Sequence, residues 1–276
     1  MNAAKDAVKE FWEEASCGEA LFLTEMTREG YLAQSAARYR LEPYILDFTE
    51  FEKQQGRTVL EIGIGLGADH QKFAEGGAVL TGIDLTERAL EHVRRRFSIF
   101  SLSSRLQTGD AERLPFPNQS FDLVYSWGVI HHSPNTPAAV DEIYRVLKPG
   151  GECRIMIYHR YSMIGYMLWL RYALLRLRPM TSLREIYSKY LESPGTKAYS
   201  IPEAQKMFKA FDDVNISIQL THGDLLESEA GQRHRGLALK IAKWIWPRWL
   251  IRTVFKNHGL YMLIRAKRNA VAGQQL

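Results

Sequence analysis

The sequence predicts an α/β fold with a doubly wound, mostly parallel sheet, and three observations carry that prediction. Between Thr58 and Tyr158, short β-branched runs alternate with longer helical segments, the pattern of parallel βαβ units. The first run, "TVLEIG", leads into three glycines, Gly63, Gly65 and Gly67, which Ala68 completes as G-x-G-x-x-A, a turn of the kind that cradles a dinucleotide pyrophosphate. Acids then close the next two runs, Asp84 and Asp110, and ligands of such sheets bind outside the carboxyl ends of the strands. Together these describe a Rossmann-like core.

The elements follow in order. Residues 3–40 read as helices joined by a turn near Ser16 to Gly18, with Leu21, Leu23, Met26, Tyr31 and Leu32 at loose helical spacing. After the first strand, "ADHQKFAEGG" is a helix closed by Gly76 and Gly77. "AVLTGIDL" is the second strand, and "TERALEHVRRRFSIFSL" a helix with Thr86 as N-cap and Glu87 in its first turn. "SRLQTGDA" and "FDLVYSWGVIHH" are the third and fourth strands, "NTPAAVDEIYRVLKPGG" a helix stopped by Pro149-Gly150-Gly151, and "ECRIMIYH" the fifth strand. Beyond Tyr158 the alternation breaks: an aromatic, Arg-rich helical stretch over 160–192, a helix "IPEAQKMFKAF" capped near Ile201, a sixth strand "DDVNISIQLTHG", a helical segment over 225–256 and a closing seventh strand "GLYMLIRAKR". The expected division is an N-terminal helical lid over 1–40, a cofactor-binding core over 41–158, a helical lid insertion over 159–200, and the rest of the core over 201–276 interrupted by the 225–256 helix.

Length and composition exclude whole classes. With 276 residues, 46% hydrophobic and 24% charged, the chain can bury a full core and is neither disordered nor fibrous. Cys17 and Cys153 offer no disulfide framework and no metal-ligand spacing, so no metal is expected and a reducing, cytoplasmic setting fits. The first residues mix charges and show no export signal. "SMIGYMLWL" is the most membrane-like run, but Arg171 ends it well short of the roughly 20 residues that span a bilayer. The net charge of +5 is unevenly placed: Gly231 to Leu276 holds ten Lys and Arg and no acid, leaving the remainder net −5. Such asymmetry points to an anionic surface or substrate, or to a solvated helix face.

A nicotinamide dehydrogenase accounts for the glycines and for Asp84, whose carboxylate can hold both hydroxyls of a ribose. It does not account for Glu61, which lies two residues before the turn and repels a pyrophosphate. A ligand that carries positive charge and an amino group suits Glu61. The stretches "VLEIGIGLG", "GIDLTERAL", "GDAERLPFPNQSFDLVYSWGVIHHSPN" and "VLKPGG", in this order, closely resemble class I S-adenosylmethionine-dependent methyltransferases, in particular the type 11 group that includes the ubiquinone/menaquinone C-methyltransferases. The resemblance covers Thr58 to Tyr158 and implies S-adenosyl-L-methionine as cofactor, with S-adenosyl-L-homocysteine as product. It implies that Glu61 and the turn Gly63, Ile64, Gly65 and Gly67 face the methionyl part. Asp84 then holds the ribose, Leu85 packs on the adenine, Asp110 and the Ala111 backbone read the adenine edge, and Ser126 and Trp127 line the methionine side.

A sulfonium methyl is already electrophilic, so transfer needs in-line positioning and, for a protonated nucleophile, a base. His131 and His132, just after the fourth strand, are the base candidates, His132 preferred, and they make oxygen the favoured acceptor atom over carbon and nitrogen. No N/D-P-P-Y motif and no RNA-binding module is recognisable, which disfavours nucleic acid. "YSMIGYMLWLRYALLRLRPM" and "KIAKWIWPRWLIRTVFKNHGLYML" interleave aromatic and apolar residues with Arg and Lys, the composition either of lid helices over an apolar pocket or of an interfacial amphipathic helix with Trp244, Trp246 and Trp249 at headgroup level. The expected activity is methyl transfer to a small or lipid-like acceptor, with peripheral contact at an inner membrane surface as an added role. A non-catalytic cofactor-binding protein and a membrane-surface protein are the alternatives on the same fold. The oligomeric state is left open.

Overall fold

The computed structural model describes residues 3–227 and 246–270. Strands β1 (Thr58–Ile62), β2 (Val79–Asp84), β3 (Arg105–Thr108), β4 (Phe121–Trp127), β5 (Leu147–Tyr158), β6 (Asp212–Gln219) and β7 (Tyr261–Lys267) form one sheet in the order β3-β2-β1-β4-β5-β7-β6. The first five run parallel, and β7 lies antiparallel between β5 and β6. This is the Rossmann-like, mostly parallel seven-stranded sheet that the alternation predicts. Successive side chains of a strand point to opposite faces, and here both faces are covered. Val59 and Leu123 therefore pack with Phe73, Leu90 and Val93, while their neighbours Leu60 and Val124 pack with Ile143, Val146 and Phe208.

Ahead of the sheet come α1 (Ala3–Glu14), α2 (Glu19–Phe22), α3 (Arg28–Leu41) and α4 (Tyr44–Thr49), with a 3₁₀ turn at Phe51–Gln54. Helices α5 (Ala68–Glu75), α6 (Glu87–Phe100) and α7 (Thr136–Val146) connect the parallel strands. They are followed by α8 (Met163–Tyr172), α9 (Leu183–Tyr190), α10 (Ile201–Met207) and α11 (Arg248–Thr253). Local chemistry sets most starts. Thr86 accepts from Ala89 N, Ser162 from Gly165 N and Ser182 from Glu185 N, and Ser200 forms a capping box with Glu203 that places the α10 cap one residue before Ile201.

Several boundaries differ from expectation, the sixth strand ending at Gln219 and α10 at Met207 among them. The third strand stops at Thr108, because Asp110 turns back to accept from Glu112 N. The fourth stops at Trp127, because Gly128 takes a left-handed φ of 73° and the histidines fall in the turn beyond it. Pro149-Gly150-Gly151 does not stop α7: the helix ends at Val146, and Leu147 already pairs with Phe121 at the start of β5. Of the 225–256 helix, only Arg248–Thr253 is helical among the described residues, Trp244 and the rest of 228–245 lying outside them.

The helices before β1 are fastened by buried polar groups. Arg38 of α3 binds Asp69 of α5 through both carboxylate oxygens, at 2.9 and 2.5 Å, and the hydroxyls of Tyr39 and Tyr125 donate to the same carboxylate at 3.0 and 2.7 Å. Arg96 of α6, fully buried, donates to Gln71, Gln34 and the Leu66 carbonyl, and burial without a carboxylate partner lowers its pKa to about 10. Removing one partner of a buried pair strands the other charge, so Arg38→Ala is expected to cost about 3–5 kcal/mol in urea unfolding. A loss below about 1 kcal/mol would show that the two tyrosines alone satisfy Asp69.

Candidate active site

The order 3-2-1-4 places a topological switch between β1 and β4, and a crevice opens there beyond the strand ends. It is a cavity of about 960 Å³, walled by the glycine turn and the ends of β2 and β4 on one side and by α1, α8 and the Thr221–Leu226 segment on the other. Of the residues singled out in the sequence, Glu61, Gly63, Ile64, Gly65, Gly67, Asp84, Leu85, Asp110, Ala111, Trp127 and His132 line it. Ser126 and His131 do not. Ser126 points to the opposite face of β4 from Trp127 and is fully buried there, and the His131 ring turns inward against Tyr158, with centroids 4.0 Å apart.

The turn is shaped for close approach. A Cβ on Gly63 would meet Val129 at 2.1 Å, whereas Gly65, at a φ of 47°, has nothing within 4 Å of the position a Cβ would take, so its backbone borders open cavity. Acids surround the turn, Glu61 buried and Asp84 and Asp110 half-buried. Glu61 sits 2.8 Å from His70 Nδ1, and His70 Nε2 sits 2.8 Å from the Ser104 hydroxyl. Burial pushes the Glu61 carboxyl well above the usual carboxylate range and His70 down to about 3, so it disfavours charge on both partners. Asp84 accepts from Thr86 N at 3.0 Å, the Thr86 hydroxyl at 2.8 Å and Gly65 N at 3.4 Å, and burial still raises its pKa. Asp110 is bound by Lys5 of α1, which also reaches Glu112 at 2.7 Å, so the N-terminal helix is tied across this end of the crevice.

At the other end, His132 is 6% exposed and its Nδ1 lies 2.8 Å from Ser193 Oγ and 3.2 Å from Thr196 Oγ1. Its Nε2 stands 3.5 Å from Glu192, which also accepts from the Tyr158 hydroxyl at 2.7 Å. Trp12 of α1 meets the imidazole edge-on at 5.4 Å. Burial pushes His132 down to about 3 and His131 well below the usual histidine range. Trp127, Tyr158 and Tyr261 build an aromatic wall between the two ends, with Tyr44 stacked behind Trp127. Arg38, His70, Lys5, Tyr158 and Glu192 were not found from the sequence. His70 alone had a local signal, a polar residue in the first turn after the glycines. A separate cleft of about 590 Å³ beside β6 and β7 contains none of the motif residues and is occupied by the ion pairs Glu50–Arg154 and Arg154–Glu152.

A family model described as a methyltransferase domain, type 11, matches residues 60–155. The demethylmenaquinone methyltransferase of Tropheryma whipplei is 34% identical over 166 residues, which span 59% of this chain and 68% of that one. The chain belongs to the class I S-adenosylmethionine-dependent methyltransferases, type 11 group. A fatty-acid O-methyltransferase of Mycolicibacterium smegmatis is 37% identical over 99 residues, 35% of each chain. Among solved structures, a Haemonchus contortus phosphoethanolamine N-methyltransferase with bound S-adenosylhomocysteine shares the fold: TM-score 0.56, 18% identity, 95% of this chain and 60% of that one. The methyltransferase takes S-adenosylmethionine as its cofactor. Among its described residues no helix is long and apolar enough to cross a membrane, and no group of His, Cys, Asp and Glu is arranged to hold a metal.

The buried histidines make the enzyme's stability depend on pH. His70 and His132 have folded pKa values near 3 against 6.5 when free, so the unfolded chain binds more protons between these values. Their contribution is complete above pH 6.5 and is lost as pH falls towards 3. The urea midpoint is therefore expected to drop between pH 7 and pH 5, and to drop less in His132→Asn. An equal drop in the variant would show that His132 titrates as if exposed.

Proposed function

We propose that this enzyme transfers the methyl group to a small, lipid-like acceptor, and that oxygen is the atom methylated. The carrying observation is the division of one cavity into two chemistries: carboxyls at the glycine turn, with Glu61 buried and Asp84 half-buried, and an aromatic wall leading to His132 and Glu192. The residues fit the cofactor. Glu61 and Asp84 are carboxyls that burial keeps from ionising freely, and a ligand with ammonium and sulfonium charges relieves that penalty. In this reading Glu61 and the backbone of Gly63, Ile64, Gly65 and Gly67 hold the methionyl end. Asp84 takes the ribose, Leu85 and Ala111 border the adenine, and Asp110 reads its edge once Lys5 has shifted. Trp127 closes the methionine side, whereas Ser126 acts from behind the wall.

When bound, the cofactor supplies a methyl on a sulfonium, electrophilic without further activation. The protein then has to align an acceptor oxygen and accept its proton. His132 is the proposed base. Ser193 and Thr196 occupy its Nδ1 and fix the ring, which leaves Nε2 on the side of Glu192. A carboxylate there stabilises the imidazolium that forms, offsetting the burial that lowers the basicity of His132. His131 is a packing partner of Tyr158 in this scheme rather than a base.

The acceptor class is supported by the apolar and aromatic lining and by the quinone and fatty-acid names of the two relatives. The segments α1–α3 and α8–α9 act as lids, which exclude water from the reacting atoms. Contact of the basic C-terminal region with a membrane belongs to the same reading and, among the described residues, falls to Trp249, which is 75% exposed, since Trp246 donates its Nε1–H to the Asp224 carbonyl at 2.9 Å inside the cavity wall.

Asp84→Ala is expected to abolish S-adenosylhomocysteine binding measured by calorimetry, and undiminished affinity would remove the ribose assignment. His132→Ala is expected to lower turnover roughly 100-fold with cofactor affinity unchanged. Wild-type turnover would leave positioning as the whole mechanism. Incubation with labelled methyl donor and a cell extract, followed by mass spectrometry of the labelled product, identifies the acceptor; a methylated amine or carbon would overturn O-methylation.

A further inference from the structure

Residues 170–180 form an exposed apolar surface at the mouth of the acceptor cavity. Leu174 and Leu175 are 42% and 73% exposed, and Leu177 and Met180 are 91% and 95% exposed. The backbone that carries them is fastened. Trp169 Nε1 donates to the Thr181 carbonyl at 3.0 Å, Arg178 N to the Ala173 carbonyl at 2.9 Å and Thr181 N to the Arg178 carbonyl at 3.1 Å. Leu177 is held at a φ of 57°, in the left-handed region that a leucine rarely adopts. A hydrogen-bonded turn thus presents its largest apolar side chains outward, although Leu168 and Ala173 of the same segment are buried.

Along the segment itself the charge has one sign. Residues 161–183 contain Arg171, Arg176 and Arg178 and no Asp or Glu. Arg171 and Arg176 lie over the Tyr172 ring at 5.2 and 5.1 Å, and that ring stacks on Tyr190 at 4.1 Å, so the cations are gathered at the base of the apolar tip. Apolar side chains projecting beyond a ring of arginines complement an acyl layer beneath anionic headgroups. Leu170, Arg171 and Leu175 belong to the cavity wall as well, so the exposed surface continues into the cavity.

We infer that the 170–180 turn inserts into the surface of an anionic bilayer and opens the acceptor cavity towards it, so that a lipid-like acceptor enters from the membrane rather than from water. The inference rests on the lipid-like acceptor reading for the passage of substrate, while the docking surface stands on its own geometry. It is separate from the contact proposed at Trp249.

The test is co-sedimentation of the full chain with vesicles of phosphatidylcholine alone and of phosphatidylcholine with phosphatidylglycerol. Thermal stabilisation by S-adenosylhomocysteine serves as the control for folding and for the cofactor site. The wild type is expected to partition onto the anionic vesicles, and the double variant Leu177→Asn, Met180→Gln to bind about tenfold more weakly with its thermal stabilisation intact. Arg176→Gln with Arg178→Gln is expected to remove the preference for anionic over neutral vesicles, and Trp249→Ala to leave binding by the turn in place. Equal binding of wild type and the Leu177/Met180 variant, or loss of binding in Trp249→Ala alone, would overturn the assignment. So would a wild-type dimer that the Leu177/Met180 variant turns into a monomer, since the surface would then serve a second copy of the chain. Failure of S-adenosylhomocysteine to stabilise the wild type would count against the cofactor reading, and the vesicle result would still decide the docking surface.

Discussion

The carboxylate of Asp69 stands at the centre of this molecule. It is the second residue of α5, directly after the glycine turn, and it is bound at once by Arg38 of α3, Tyr39 of α3 and Tyr125 of β4. One buried anion thereby fixes the turn, the helix that follows it, the central strand and the helices ahead of the sheet. Burial disfavours its charge, but the Arg38 guanidinium and two hydroxyls more than compensate, and Asp69 is held below the usual carboxylate range. Such a group is costly to leave half satisfied, so α3 has little freedom to dock elsewhere. The cavity depends on this arrangement, because Arg38 and Asp69 both border it.

The same constraint polarises the cavity. Arg38 is hydrogen-bonded to Asp69 and lowers Glu61 only through its charge, and burial still raises both Glu61 and Asp84. The end at the glycine turn is thus lined by acids, whereas the other end is aromatic and apolar with one histidine and one carboxylate at its edge. Both ends are roofed by segments whose contacts with the site run through side chains, α1 by Lys5 and Trp12 and the 159–200 segment by Glu192, Ser193 and Thr196, although Tyr199 N and Lys197 N also donate to the Tyr158 and His131 carbonyls. Contacts of this kind can open and close without disturbing the strand ladder, which suits segments that must admit two ligands.

Much of this was legible in the chain because it is written locally. Period-two and helical spacings define β1 to β7 and most helices, and glycines with an acid on either side define the turn. Boundaries were less legible where a single residue decides them: Gly128 ends β4 through a left-handed backbone, and Leu147 begins β5 by pairing with Phe121 across the sheet. The pair of adjacent histidines shows the limit of motif reading, since His131 and His132 are equivalent as letters and only one of them borders the cavity.

By itself the sequence determined the sheet, its strand-end acids, the methyl-donor family and the end of the molecule where ligands gather, because each depends on residues close together in the chain. The tertiary structure alone decided which side chains face the cavity and what holds them. Arg38 reaches Asp69 from 31 residues away, Lys5 reaches Asp110 from 105 and Ser193 reaches His132 from 61. No spacing rule covers such distances: they follow from the packing of separate elements against one another, and with that packing come the desolvation and pairing that shift Glu61, Asp69, Asp84, His70 and His132.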